Sequence, residues 1–220
     1  MRYACANTPS RLAQAQLPSI LCVKFIQFNS IHLSEIINMI KLYGGARSRA
    51  SIVRWYLEEL GINYEFILLD MSTGEHQQPD FIKLNPFGKV PTIVDEDFVL
   101  YESGAILLYL DRKYSGKELS VEEQAILTQW TLFANATLGP NIFGIESRER
   151  ELPKLMMPLN ELLSKHQYLL GDEFSVADVA VGSILIYIPL MLKLDLSAYP
   201  AVVNYIRALS NRPACKVGMG

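Results

Sequence analysis

The sequence predicts an α/β domain of order βαβ–ββα followed by an all-α domain. Three observations carry this. Between Ile40 and Leu69, two short apolar runs flank a stretch with helical spacing, and the return is short, as in a parallel βαβ unit. Two β-type runs, Thr92–Val94 and Phe98–Tyr101, then face each other across Asp95-Glu96-Asp97, the pattern of a hairpin. Past Ser115-Gly116-Lys117 every periodic segment is helical, and two of them open on capping boxes, Ser120-Val121-Glu122-Glu123 and Ser175-Val176-Ala177-Asp178.

In order along the chain, Ile40–Tyr43 reads as a first strand and Gly44-Gly45 as a breaker. Ser48 to Leu60 places Ile52, Val53, Tyr56, Leu57 and Leu60 at helical spacing, and Gly61 caps the end. Tyr64–Leu69 is a second strand. Met71 to Asn85 is a polar connection with a helical turn after Pro79. Ser103–Tyr114 is a helix, and a long helix from Ser120 to Leu138 is expected to break at Gly139-Pro140-Asn141. A further helix runs from about Arg148 to Tyr168, with Pro153 and Pro158 marking kinks or a late start. The segment Val179–Leu192 is apolar nearly all round and is expected to be buried, with Phe174 and Val179 placed as a hydrophobic staple. Tyr199–Ser210 is a last helix. The domains are therefore 39–114 and 120–220, joined by a linker over 115–119.

Residues 1–38 stand outside this pattern. They hold one acidic residue, Glu35, so they are read either as an organelle transit peptide or as a stretch upstream of a true start at Met39. They are expected to be poorly ordered and irrelevant to catalysis.

Composition narrows the function. A hydrophobic content of 50% is enough for a sizeable core. The net charge of -3, with basic residues spread along the chain, argues against a nucleic-acid partner. Cys5, Cys22 and Cys215 are too few and too scattered for a disulfide framework, which favours a reducing, cytoplasmic location. No run approaches the roughly 18 apolar residues of a membrane span, so no membrane partner is expected.

The chemistry is concentrated in Asn85-Pro86-Phe87-Gly88-Lys89-Val90-Pro91-Thr92 and in Tyr101-Glu102-Ser103-Gly104. Pro91 at the mouth of a strand cannot donate to a sheet ladder. A cis Val90–Pro91 bond would turn the chain sharply there and leave the Val90 N–H and C=O facing outward, a docking edge for an extended peptide. Ser103 is a natural N-cap, and a helix N-terminus attracts a carboxylate. Glu102 beside it attracts an ammonium. Together they suit the two ends of an amino acid, and with the docking edge they describe a small peptide ligand.

These segments, with Gly74-Glu75-His76, resemble the glutathione-binding half of the glutathione transferases, closest in wording to their phi-like and bacterial members. The likeness runs from Met39 to about Pro213. It implies a thioredoxin-like first domain, glutathione as co-substrate, a small hydrophobic electrophile as second substrate and a homodimer, with no metal. His76 and Lys89 match positions that hold the glycine end of glutathione, and Val90, Pro91, Glu102 and Ser103 match its backbone and amino-acid contacts. The Phe-Ser-x-Ala-Asp run at Phe174 also recurs in the family, with a structural role.

A transferase must also ionise the glutathione thiol, because the thiolate is the nucleophile. The resemblance places the activating group in the window from Gly44 to Ser51. Ser48 falls where serine-type members keep a catalytic hydroxyl, and Arg49 where cysteine-type members keep their cysteine. The competing structural reading makes Ser48 a helix cap. Arg47, Arg49 and Arg54 crowd a helix start, where cations oppose the macrodipole, unless an anion docks there or they pair with Glu58 and Glu59. The leading function is conjugation of glutathione to small apolar electrophiles in detoxification. The alternatives are a non-catalytic ligand carrier and a glutathione-dependent isomerase or peroxidase. A disulfide reductase is disfavoured by the missing cysteine. Trp130, Phe133, Ala134, Leu138 and Phe143 are candidates to line an apolar pocket between the domains, although aromatics at helical spacing are more often core.

Overall fold

The computed structural model describes residues 39–220, and the segment read above as an extension lies outside them. Strand β1 (Ile40–Gly44) alternates buried Ile40 and Leu42 with exposed Lys41. Helix α1 (Ala50–Leu60) returns the chain to strand β2 (Tyr64–Leu68), parallel to β1 from Ile40↔Tyr64 to Gly44↔Leu68. A 3₁₀ turn (Glu75–Gln77) and the short helix α2 (Pro79–Ile82) fill the polar connection. Strands β3 (Thr92–Asp95) and β4 (Phe98–Tyr101) form the expected hairpin. The sheet order is β2-β1-β3-β4, with β3 antiparallel to both neighbours. Helix α3 (Ser103–Tyr114) packs beside α1.

Buried Asp95 ties the hairpin to α3. The Tyr109 and Tyr114 hydroxyls donate to its Oδ2 at 2.7 Å each, and the Lys113 ammonium lies at 2.8 Å. Burial alone would raise its pKa, but the ammonium and the two phenols outweigh it and hold the carboxyl below its ordinary range.

The second half is helical. Helix α4 (Val121–Leu132) opens on the first capping box: the Glu123 N–H donates to Ser120 Oγ at 3.1 Å, and the Ser120 N–H to Glu123 Oε2 at 2.8 Å. It widens into a π-helical stretch, Phe133–Leu138, and runs on into α5 (Gly139–Phe143). The expected break at Gly139-Pro140-Asn141 is absent. Pro140 falls in the first turn of α5, where its missing N–H costs least, and the chain extends only at Gly144. Helix α6 (Arg148–Lys165) accommodates Pro153 and Pro158 in its interior without a late start. Helix α7 (Val176–Tyr187) is buried continuously from Val176 to Leu185, as its apolar surface predicts, but the chain then turns into a second π-helical stretch, Ile188–Leu192, whose Pro189, Leu190 and Met191 are exposed, so the expected burial stops short of Leu192. Helices α8 (Pro200–Ser210) and α9 (Pro213–Met219) complete the fold; α9 was not anticipated from the sequence. No helix among the described residues is long and apolar enough to cross a membrane.

The two halves share one buried cluster through α1. Trp55 is fully buried, and a Cβ on Gly218 would lie 2.3 Å from the Trp55 backbone, so only glycine lets α9 approach α1 this closely. Glu59 Oε1 accepts from Trp55 Nε1 at 2.8 Å. The Arg212 guanidinium meets both Glu59 oxygens, at 2.6 and 2.7 Å, and stacks 3.8 Å from the Phe174 ring centroid. Phe174 thus faces Trp55 and Tyr168.

Asp178 holds the helical half from inside. Its Oδ1 accepts from the Leu169 N–H (3.0 Å) and the Tyr205 hydroxyl (2.7 Å), and its Oδ2 from the Ser175 N–H (2.9 Å) and hydroxyl (3.0 Å). Burial pushes the carboxyl upward against these four donors. Asp178→Asn keeps the shape but turns an NH₂ toward one pair of donors. We expect it to destabilise the protein by about 1–3 kcal/mol, read as a lower urea midpoint with unchanged slope. An unchanged midpoint would deny the carboxylate this role.

Candidate active site

The sheet brings four segments to one end. Strands β1 and β2 run in parallel to Gly44 and Leu68, so the loop after β1 and the connection carrying His76 leave from the same edge. The antiparallel pair Tyr43↔Thr92 starts β3 at that edge, and Thr92↔Tyr101 ends β4 there. Val90-Pro91, one step before Thr92, therefore lies beside Glu102-Ser103, one step after Tyr101. The register brings Lys89, Val90, Pro91, Glu102 and Ser103 together, and the connections leaving β1 and β2 at that end carry Ser48, Arg49 and His76.

The loop before β3 is braced from within. Fully buried Asn85 donates to the Lys89 carbonyl at 2.8 Å and to Thr92 Oγ1 at 3.2 Å, and accepts from the Phe87 N–H at 3.0 Å. Thr92 Oγ1 donates to the same Lys89 carbonyl at 3.1 Å. The Val90–Pro91 bond is cis. The ladder begins only at Thr92, so Val90 lies outside it and is half-buried, while the Lys89 side chain is exposed. His76 sits in the 3₁₀ turn, and its Nδ1 is buried without a hydrogen-bond partner among the described residues.

At α3 the N-cap is Glu102, one residue earlier than expected, and Ser103 is the first helical residue. The first intrahelical bond runs from the Ile106 N–H to the Glu102 carbonyl, and no side chain caps the helix. Its leading amides are thus free to meet an anion. Exposed Glu102 has φ 72° and ψ 115°, a sparsely populated region for a residue with a side chain. Such strain costs on the order of 1–3 kcal/mol and collects at ligand clamps.

The window after β1 resolves the competition over Ser48. Its hydroxyl donates to the Gly45 carbonyl at 3.0 Å and accepts from the Gly45 N–H at 3.1 Å and the Ala50 N–H at 3.3 Å. A hydroxyl has one proton and two lone pairs, so all three capacities are used. Ser48 closes the turn and is not the helix cap; that position belongs to Arg49. Arg47 is exposed, and Arg49 and Arg54 diverge. Arg54 turns away, stacking over Phe66 and donating to the Tyr64 hydroxyl, while Glu58 accepts from Tyr64 and Glu59 serves Trp55 and Arg212. The expected pairing with Glu58 and Glu59 does not form. Arg49 instead reaches across to Asn135 Oδ1 in the π-helical stretch of the second half. Desolvation of its guanidinium lowers its pKa, opposed by the nearby Glu102 carboxylate and Tyr187 phenol.

Tyr187, at the end of α7, makes the second cross-contact, 2.6 Å from Ser51 Oγ. The Ser51 proton goes to the Ser48 carbonyl at 3.0 Å, so the phenol is the donor. Neither Asn135 nor Tyr187 was anticipated. The available signal was slight: Tyr187 carries a polar tip in a largely apolar run, and Asn135 stands among other polar residues such as Thr131 and Thr137. Of the aromatics considered for a pocket, Trp130 and Phe133 line a groove of about 380 Å³ between α4 and α6, inside the helical half. Ala134 and Leu138 are core.

A segment outside the ladder at Val90, an uncapped helix start at Glu102 with its unusual backbone, and the Arg49 side chain occupy one end of a βαβ–ββα sheet. The glutathione S-transferase N-terminal domain matches residues 38–112, and the C-terminal domain of the same family matches residues 145–217. The chain belongs to the glutathione S-transferase family. Glutathione S-transferase hmp2 of Hypomyces subiculosus is 36% identical over 167 residues, spanning 64% of this chain and 78% of that protein. Disulfide-bond oxidoreductase YfcG of Escherichia coli is 32% identical over 200 residues, 80% of this chain and 92% of that one. Glutathione transferase URE2P6 of Phanerochaete chrysosporium, solved with oxidized glutathione, is similar with a TM-score of 0.72 at 29% identity, over 83% of this chain and 95% of that structure. The thioredoxin-like sheet followed by a helical domain is this family's architecture.

Proposed function

We propose that this glutathione transferase holds its co-substrate along Val90 and at the start of α3, ionises the thiol with Arg49, and adds the thiolate to a small apolar electrophile, as in detoxification. The observation that carries the choice of Arg49 is the saturation of the Ser48 hydroxyl. To donate to a thiolate, Ser48 would first have to release the Gly45 carbonyl. Arg49 keeps four guanidinium N–H groups beyond the one given to Asn135. A fixed cation at the sulfur lowers a thiol pKa from its free value of about 8.5.

In this reading the Val90 N–H and C=O pair with the cysteinyl segment of the tripeptide, beside the cis Pro91. The amides at Ser103 receive the α-carboxylate, and Glu102 receives the α-ammonium. Lys89 and His76 take the glycine end. Leu190 and Met191, each 64% exposed in the π-helical turn just past Tyr187, supply apolar surface near the thiol and support an apolar second substrate. A reducing cytoplasm, where glutathione is kept as the thiol, suits this use.

A second reading has one observation in its favour, the likeness to a disulfide-bond oxidoreductase. With no cysteine in the window, glutathione would supply the attacking sulfur. Turnover of a glutathione mixed disulfide faster than of any electrophile would select it.

A homodimer completes the proposal. Phe87 is 66% exposed on a loop that is otherwise braced, with one ring edge on Tyr101. The groove lined by Trp130, Phe133, Leu155, Leu159 and Leu162 is apolar. A second copy related by a two-fold axis can cover both surfaces at once.

Three outcomes follow. Arg49→Ala is expected to raise the pKa of bound glutathione, followed by its ultraviolet thiolate absorbance, by about one unit or more, tenfold in ionisation; Ser48→Ala should shift it far less. The reverse order would return the hydroxyl to the role of activator. Glu102→Ala should weaken glutathione binding in calorimetry by roughly tenfold or more, the cost of a lost charge-assisted contact; unchanged affinity removes the clamp. Phe87→Ser should shift the protein toward monomer in light scattering, and an unaffected dimer would place the interface elsewhere.

A further inference from the structure

We infer that Asn135 is a positioning residue that aims the Arg49 guanidinium at the glutathione sulfur, so that the helical half sets the strength of thiol activation; this rests on the reading of Arg49 as the activating cation. Arg49 needs such a partner. It stands at the N-cap of α1, where the helix dipole repels a cation. Its long side chain also carries considerable rotamer freedom. Left alone, it would spend much of its time directed into water.

Asn135 supplies the restraint, and is itself restrained. Its Oδ1 accepts from Arg49 Nη2. Its Nδ2 lies against the start of α3: a Cβ on Gly104 would come within 2.4 Å of that nitrogen and 2.9 Å of Thr131 Cγ2. The amide is therefore lodged between the guanidinium and the helix whose first residues form the amino-acid clamp. Its place on the π-helical stretch Phe133–Leu138 fits a local distortion that redirects one side chain.

The chemistry favours an amide here. A carboxylate would grip the guanidinium harder, but would set a negative charge beside the thiolate and cancel what Arg49 contributes. A neutral acceptor fixes direction and leaves the positive charge for the sulfur. Glu102 already opposes that charge from one side; a second carboxylate would leave no net attraction.

The test is a double-mutant cycle on the full chain, with glutathione and a generic chromogenic aryl halide as probes. Asn135→Ala is expected to raise the bound thiol's pKa by about 0.5–1 unit, a roughly three- to tenfold loss of thiolate. It should lower kcat in proportion and leave the glutathione KM nearly unchanged. In an Arg49→Ala background it should add nothing, because it acts through Arg49. Gly104→Ala, which displaces the same amide, should raise the thiol pKa in the same direction. Asn135→Asp is nearly isosteric and keeps the fold testable if the alanine variant misfolds; it should raise the thiol pKa through charge. Additive losses in the cycle, or a thiol pKa unmoved by both Asn135 variants while Arg49→Ala shifts it, overturn the inference. If Arg49→Ala itself moves nothing, the activation by Arg49 fails first, and the role of Asn135 falls with it.

Discussion

The Glu59–Arg212 pair, with Trp55 between α1 and α9, is the constraint on which the site depends. Both Glu59 oxygens meet the guanidinium, Trp55 Nε1 adds a third donor, and Phe174 covers the cation. A two-point contact between planar groups fixes orientation as well as distance. It therefore sets how the helical half is turned relative to the sheet. Partial burial makes the pair costly to break and modest in net stabilisation. Its main effect is register. Helix α1 is the shared part: one end carries Trp55 and Glu59 into the seam, and the other carries Arg49 and Ser51 into the site. A rotation of the seam would move Asn135 and Tyr187 away from the loop they hold.

The site separates groups that build it from groups left to act. Ser48 and Asn85 are polar, but their hydrogen-bonding capacity goes into the two turns flanking the sheet edge. Groups so committed are rigid, and a ligand would have to displace a partner to use them. What remains uncommitted is a backbone edge at Val90, the leading amides of α3, the Glu102 carboxylate and most of the Arg49 guanidinium, the groups the proposal gives to glutathione. The strained backbone at Glu102 is consistent with this division, since strain persists only where the surroundings enforce it.

Much of this was legible in the sequence because local rules decide it. The βαβ–ββα order follows from period and turn chemistry, and the cis Val90–Pro91 bond from a proline where a strand must start. The residues expected to hold glutathione lie at one end of the sheet because the register was implied by those same strands. The misreadings occurred where tertiary context overrides local preference. Pro140 predicts a break, but a π-helical stretch before it lets the helix restart. Ser48 reads as a catalytic hydroxyl or a helix cap, but the N-cap falls on Arg49 and the hydroxyl is taken up by Gly45 and Ala50. Asn135 and Tyr187 carry no motif, because a contact 86 or 136 residues away leaves no local trace.

The placement of those two contacts has a physical logic. An α-helix presents side chains on a fixed lattice of rows, so a regular helix packed in the core has little freedom to redirect one residue. A π-helical insertion breaks the lattice for one turn while the core on either side stays packed. Asn135 lies within one such stretch and Tyr187 immediately before the other. Ala134 and Leu138 remain buried around Asn135, and Ile188 beside Tyr187. The helical half thus keeps its packing and still directs two polar groups into the loop after β1. Both irregular turns thus stand beside the loop after β1, while the regular turns pack the core.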